Sequence, residues 1–111
     1  MTLAGDIQTD GGDATFNGDI RLGASRNIDT ELGNDSNAGA ITFVGTLSAT
    51  TGSIDLNLDA SGNTTDGDIS FATLGNAGGS NLDDLTIADA GDIIFNNNVT
   101  LDGALTITDS S

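Results

Sequence analysis

The amino-acid sequence predicts an all-β fold, a parallel β-solenoid of about four coils with 24–28 residues in each. A five-residue pattern that ends in Phe recurs four times, and each copy is followed by two more short segments of alternating apolar and polar residues. No apolar i, i+3, i+4 spacing is sustained over ten residues, which argues against helices. A period of this length with three short strands matches one turn of a triangular β-helix, in which each strand takes about four to five residues.

The recurring pentad has the form Gly-(Asp/Ala)-(Ile/Ala)-x-Phe. Its copies are GDATF (12–16), GAITF (39–43), GDISF (67–71) and GDIIF (91–95). They contain the only four Phe residues of the chain, which lie 27, 28 and 24 residues apart. Strand alternation sends the third and fifth pentad residues to one face, so stacked coils place them in inner columns about 4.8 Å apart. The predicted core ladder comprises Phe16, Phe43, Phe71 and Phe95, with Ile41, Ile69 and Ile93 beside them and Ala14 as an underfilled place.

Two further segments complete each predicted coil. The first set is GDIRL (18–22), GTLSA (45–49), ATL (72–74) and NVTL (98–101), and the second is NIDT (27–30), SIDLNL (53–58), LDDLTI (82–87) and ALTI (104–107). Turn-forming Gly, Asn, Asp and Ser bound the segments. The sequence thus predicts one module, residues 1–111, with coils at about 1–38, 39–66, 67–90 and 91–111. An antiparallel sandwich is the alternative fold, although it does not require Phe at one pattern position in every period.

The charge excludes several classes of partner. The sequence has seventeen acidic residues, two Arg and no Lys, which gives a formal net charge of −15. Nucleic-acid binding and adsorption to anionic lipid both depend on Lys and Arg, so neither is expected. No apolar run approaches the roughly 20 residues of a membrane span, and the first residues lack the features of a signal peptide, so any export signal is expected outside this segment.

Enzymatic chemistry is not expected. The chain has no His and no Cys, which removes the commonest general base and the thiol nucleophile. Paired carboxylates act in glycosidases, but the intervals between the predicted strands are too short for loops that build a cleft. The sequence therefore predicts neither a catalytic site nor an organic cofactor.

Calcium is the one cofactor that the acidic pattern admits. Asp13, Asp68 and Asp92 take the same pentad position in different coils, with Ala40 between the first two. Stacked carboxylates repel, and Ca²⁺ prefers oxygen ligands. Further candidates are Asp66, Asp83 and Asp84. The structural alternative is that Asp after Gly accepts backbone N–H groups at turns, and neither the EF-hand spacing nor the calcium-binding nonapeptide is present.

The pentads and the two segments that follow each of them resemble the β-strand repeats of filamentous-haemagglutinin-like exoproteins and other giant bacterial adhesins. The likeness rests on GDIRLGASRNIDT (18–30), GAITFVGTLSATTGSIDL (39–56) and LDDLTIADAGDIIFNNNVTLDGALTI (82–107). It implies a right-handed parallel β-helix, exported to the cell surface or the medium, that serves as a stalk or adhesive fibre. The acidic, Lys-free composition departs from the family, and its secretion signature is missing from this segment.

The ends of the predicted solenoid suggest that the chain binds to copies of itself. No capping segment with a polar outer face is recognisable, so the chain is expected to be cut from a longer array or to stack end to end on copies of itself. VTLDG (99–103) echoes MTLAG (1–5) at a distance of 98 residues, which suggests a longer repeat of about four coils. The predicted function is a structural module of an extracellular adhesin or fibre, and the alternative is a Ca²⁺-dependent surface or carbohydrate-binding module. Ile94 is expected to face outward, where the other pentads have Thr or Ser.

Overall fold

The computed structural model describes residues 2–3, 5–31, 37–75 and 80–108, and all regular structure within these ranges is β. Its strands are β1 (Thr2–Leu3), β2 (Ile7–Gln8), β3 (Ala14–Phe16), β4 (Ile20–Leu22), β5 (Arg26–Asp29), β6 (Ile41–Ala49), β7 (Leu56–Asp59), β8 (Ile69–Leu74), β9 (Leu85–Asp89), β10 (Ile93–Phe95) and β11 (Leu105–Ile107). A search of the same ranges found no helix with the length and apolarity needed to span a membrane.

The strands form two sheets in which every strand-to-strand pairing is parallel. One sheet has the order β1-β4-β6-β8-β10 with β3 also paired to β6, and the other has the order β2-β5-β7-β9-β11. The chain therefore alternates between the sheets and returns to each one strand farther along. The all-β class with parallel strands is confirmed, and an antiparallel sandwich is excluded for the part of the chain that is described.

We call the strands of one such passage a tier. The tiers are β1 with β2, β3 to β5, β6 with β7, β8 with β9, and β10 with β11. The chain enters the fifth tier at β10, touches the first sheet again at a single bridge between Val99 and Leu74, and ends it in β11. Each tier hydrogen-bonds to the next, so a residue and its register partners form a row that crosses the tiers.

Residues 2–3 and 5–8 form a tier of their own, whereas the sequence predicted a first coil that runs from residue 1 to about residue 38. Their two strands pair in register with β4 and β5, Leu3 opposite Leu22 and Ile7 opposite Ile28. The segment has the patterns of the two strands that follow a pentad in the other tiers, but it has no pentad of its own. Its tier therefore contains those two strands and no pentad strand.

Two predicted strands merge in the middle tiers. β6 and β8 each run through a pentad and its follower without a break, and the register of β6 against β8 shifts between Phe43 and Thr46. Gly45 lies in this bend, where an added Cβ would come 2.6 Å from the carbonyl carbon of Gly18. The backbones at Gly45 and Gly18 pass close together here, and the chain turns the corner without losing its pairing to the previous tier.

The core lies between the two sheets and consists of aliphatic side chains and one column of Phe rings. The rings stack at centroid distances of 5.0 Å (Phe16 to Phe43), 5.3 Å (Phe43 to Phe71) and 5.1 Å (Phe71 to Phe95), with interplanar angles of 10° or less. The rows beside them hold the pentad Ile residues and Ala14. The outward row runs Thr15, Thr42, Ser70, Ile94, and Ile94 is 43% exposed.

Candidate functional site

The aspartates at the corners of the first sheet accept hydrogen bonds from the backbone of the following tier. The Oδ1 atom of Asp13 accepts the N–H of Ala40 at 2.9 Å, and that of Asp68 accepts the N–H of Asp92 at 2.9 Å. Asp19 does the same for the N–H of Thr46 at 2.8 Å. These three residues stand directly before β3, β8 and β4, so each carboxylate supplies an acceptor at the point where the ladder begins.

The second sheet repeats the arrangement. Asp6 accepts the N–H of Asn27 at 3.0 Å, Asp55 that of Asp84 at 3.1 Å, and Asp84 that of Ala104 at 2.8 Å. Ser25 uses its hydroxyl in the same way for the N–H of Asp55. In every one of these bonds the accepting side chain lies in one tier and the backbone N–H that donates to it lies in the next. The acidic residues thus connect tiers, and a hydrogen bond to a charged acceptor is stronger than a neutral one.

We expect Asp68→Ala to lower the free energy of unfolding by about 0.5–2 kcal/mol, the range seen when a side chain that caps a backbone N–H is removed. The matched control is Asp92→Ala, because Asp92 occupies the same row but lies in β10's tier, which pairs with β8 and no later strand in the described ranges. In the unassembled chain at low concentration, its substitution should change stability by less than about 0.5 kcal/mol. Urea unfolding followed by circular dichroism measures both, and equal losses would contradict the role assigned to Asp68.

Three carboxylates converge at the start of β7 and β9, and two of them belong to the N–H acceptors Asp55 and Asp84. Oxygen atoms of Asp55, Asp83 and Asp84 lie within 4.8 Å of one another, and none of the three residues is buried. Desolvation, followed by the negative charges of Asp84, Asp55 and Asp102, raises the pKa of Asp83 above its ordinary value of 3.8. Asp55 and Asp84 each use one oxygen on a backbone N–H.

This cluster contains two of the six residues that the sequence nominated as calcium ligands. Asp83 and Asp84 are in it, whereas Asp13 and Asp68 bond backbone N–H groups, and Asp66 accepts the N–H of Gly62 at 2.8 Å within its own turn. Asp92 is exposed at the tier of β10. Sequence reasoning missed Asp55. The signal for it was the alignment of SIDL (53–56) with LDDL (82–85), which places Asp55 and Asp84, the residues before β7 and β9, in one row.

The pKa of Asp83 gives a pH dependence with a definite sign. The folded pKa is raised, so the charged form destabilises the fold above that pKa, and this effect disappears as the pH falls through it toward 3.8. We expect Asp83→Asn to melt at a higher temperature than the natural sequence at pH 7 in low salt. The difference should shrink toward pH 4 and in 1 M NaCl, where surface charges are screened within about 3 Å. A difference that is independent of pH and salt would contradict an electrostatic origin.

A shallow groove of about 530 Å³ runs over the outer face of the second sheet. Its polar lining crosses four tiers and comprises Asp6, Gln8, Asn27, Asp29, Asn57, Asp59 and Thr86. The side-chain amide of Asn57 donates to Oδ1 of Asn27 at 2.9 Å, so these two side chains are linked across two tiers on the floor of the groove. The lining offers amides and carboxylates but no aromatic ring.

Comparison with known proteins gave no match: no family model fits the sequence, and searches of curated proteins and of solved structures found nothing similar.

Proposed function

We propose that the chain is a right-handed parallel β-solenoid and serves as a structural repeat module of a secreted bacterial surface adhesin or extracellular fibre, in which modules stack end to end. The regular pairing of the tiers supports the solenoid. From β3 to β10 the pentad residues stay in one register across three steps, and the same Phe column passes through all of them. The handedness, the family and the extracellular location rest on the resemblance of the repeats to those of bacterial adhesins.

The exposure of apolar residues in the last tier carries the proposal of stacking. Leu105 is 41% exposed and Ile107 43% exposed, whereas their row partners one tier earlier, Leu85 and Ile87, are both 0% exposed. Apolar side chains of this size stabilise a protein when they are buried against a further layer. Another tier on β10 and β11 would bury them in the way that each earlier tier is buried by its successor.

The charge of the chain favours contacts at the ends over contacts between the sides. A net charge of −15 makes lateral association unfavourable, because like-charged surfaces repel. A terminal tier instead offers unpaired strand N–H and C=O groups, which pair readily with another strand. Stacking therefore satisfies the backbone at the place where apolar side chains are also exposed.

Negative-stain electron microscopy of the concentrated chain, in EDTA and in Ca²⁺, tests the proposal. We expect thin unbranched filaments in EDTA, because tier pairing needs no metal. Filaments that require Ca²⁺ would instead assign assembly to the acidic residues. Dispersed particles under both conditions would overturn end-to-end stacking.

The second candidate is a Ca²⁺-dependent surface or carbohydrate-binding module. The observation that favours it is the convergence of Asp55, Asp83 and Asp84, since carboxylate oxygens suit Ca²⁺ and a bound cation would relieve the repulsion that raises the pKa of Asp83. A structural module should melt at the same temperature in EDTA and in low-millimolar Ca²⁺. A rise of several degrees with Ca²⁺ that matched NaCl does not reproduce, and that Asp83→Asn abolishes, would favour the second candidate.

A further inference from the structure

Two segments far apart in the chain occupy equivalent places in the first and fifth tiers. In the first sheet, Leu3 pairs with Leu22, which is two residues beyond Ile20. Val99 lies in the row of Ile20, through Leu74 and Leu47. Counting two residues on from Val99 gives Leu101 as the counterpart of Leu3, although the row of Leu3 and Leu22 continues only to Ala49, which meets Ser80 in an antiparallel bridge.

The second sheet shows the same equivalence. The row that starts at Ile7 continues through Ile28, Leu58 and Ile87 to Ile107. The separation is 98 residues in the first sheet and 100 in the second, so the echo of MTLAG in VTLDG holds for one sheet and shifts by two residues in the other. Residues 2–3 and 5–8 therefore fill the same two positions of the first tier that residues 99–107 fill in the fifth.

The two tiers differ in the pentad position. The fifth tier has its pentad strand, β10, whereas no pentad strand accompanies β1 and β2 in the ranges that the structure describes. The pentad ladder starts one tier later, at β3. If β10 of one copy pairs with β3 of another, residues 99–107 of the first copy arrive where residues 2–8 of the second already lie.

Such a joint continues the ladder that holds the tiers together inside the chain. It sets Phe95 against Phe16 of the second copy, as Phe71 stands against Phe95 at 5.1 Å. It also sets the carboxylate of Asp92 beside the N–H of Asp13, as Asp68 accepts the N–H of Asp92. If residues 2–8 stayed in place, β10 and β3 would be separated by the width of one strand, and their facing N–H and C=O groups would lack partners.

Resting on the end-to-end stacking proposed above, we infer that residues 2–8 are an intramolecular substitute for residues 99–107 of the preceding copy, and that they leave their place when two copies join. β4 and β5 keep a pairing partner throughout, because one segment replaces the other. The joint then gains the pairing of β10 with β3.

The contacts of the two segments indicate which of them leaves. Residues 2–8 contribute two strands of two residues each, and bonds from Arg26 Nε to the carbonyl oxygen of Leu3 (3.2 Å) and from the N–H of Asn27 to Asp6 (3.0 Å) assist them. Residues 99–107 contribute the three-residue β11. They also donate the N–H groups of Thr100, Asp102, Gly103 and Ala104 to the previous tier at 2.8–3.0 Å. Residues 2–3 and 5–8 have fewer of these additional bonds, and we expect them to be the segment that is displaced.

Double-cysteine variants of the full chain, which has no natural Cys, distinguish the two joints. Thr15→Cys with Ile94→Cys places thiols on outward row neighbours only if β10 meets β3 of another copy. Asp6→Cys with Thr106→Cys does so only if residues 2–8 stay in place and stack on β11. Within one copy each pair is at least three tiers, or about 14 Å, apart, which exceeds the reach of a disulfide.

We expect mild oxidation to convert Thr15→Cys/Ile94→Cys into a ladder of covalent multimers on non-reducing gels, and hydrogen exchange of residues 2–8 to accelerate at least tenfold on assembly. Multimers from Asp6→Cys/Thr106→Cys alone would overturn the exchange and leave stacking intact. Filaments in which residues 2–8 become more protected would do the same. If neither variant forms multimers and no filaments are seen, end-to-end stacking itself is overturned.

Discussion

Replacing Phe71 with Ala is expected to lower the free energy of unfolding by about 3–5 kcal/mol, the cost of removing a large aromatic side chain from a packed core. Phe71 is 1% exposed and stacks on Phe43 at 5.3 Å and on Phe95 at 5.1 Å. Stacked aromatic pairs add about 0.5–1.5 kcal/mol each beyond the area they bury. Urea unfolding followed by far-ultraviolet circular dichroism measures the loss.

The matched control is Phe95→Ala in the same column. Phe95 is only half-buried, and among the described residues Phe71 is the one ring that it stacks on. Its substitution should therefore cost less than half as much as that of Phe71. If Phe71→Ala does not fold, Phe71→Leu keeps most of the volume and should cost about 1–2 kcal/mol. Equal losses at both positions would contradict a column whose stability comes from neighbours on both sides.

The pentads made the first sheet predictable because they indicate both the length of each repeat and which residues of successive repeats lie side by side. Phe occurs nowhere else, so its four positions fix which residues of successive tiers become row partners, and strand alternation then assigns inward and outward side chains. The structure pairs Ile69 with Ile93 and Ser70 with Ile94, in the phase that the pentads predict. The register of the second sheet was harder to predict, because its segments share only the alternation of apolar and polar residues and contain no rare residue such as Phe.

Other features depend on contacts between tiers that a pattern does not specify. Residues 2–8 lack a pentad, and because the pentads defined the predicted coils, these residues were assigned to the first coil and not to a tier of their own. The cluster of Asp55 with Asp83 and Asp84 depends on the register of β7 against β9. Glu31, the only Glu of the sequence, is 1% exposed, although its charge predicts a surface position. In each case the neighbouring tier, and not the residue's own segment, decides the environment.

Gly67→Ala is expected to destabilise the chain by about 1–3 kcal/mol, the usual cost of forcing extra atoms into a closely packed place. An added Cβ would come 2.6 Å from the carbonyl carbon of Gly39 and 3.2 Å from the backbone nitrogen of Ala40. These are backbone atoms, so relief requires the two tiers to separate. Separation would lengthen the bond from the N–H of Ile41 to the carbonyl oxygen of Asp68, now 2.9 Å. Thermal and urea unfolding measure the effect.

Gly18→Ala is the control, because Gly18 also precedes an Asp that accepts a backbone N–H, yet an added Cβ there meets nothing within 4 Å. Alanine restricts the unfolded chain more than glycine does, so this variant should be neutral or more stable by about 0.4–1 kcal/mol. The pair separates two reasons for glycine in the Gly-Asp motif. A purely local turn requirement would make both substitutions costly. A requirement set by the backbone of the preceding tier makes only Gly67→Ala costly, because Gly67 lies against Gly39 and nothing lies within 4 Å of an added Cβ at Gly18.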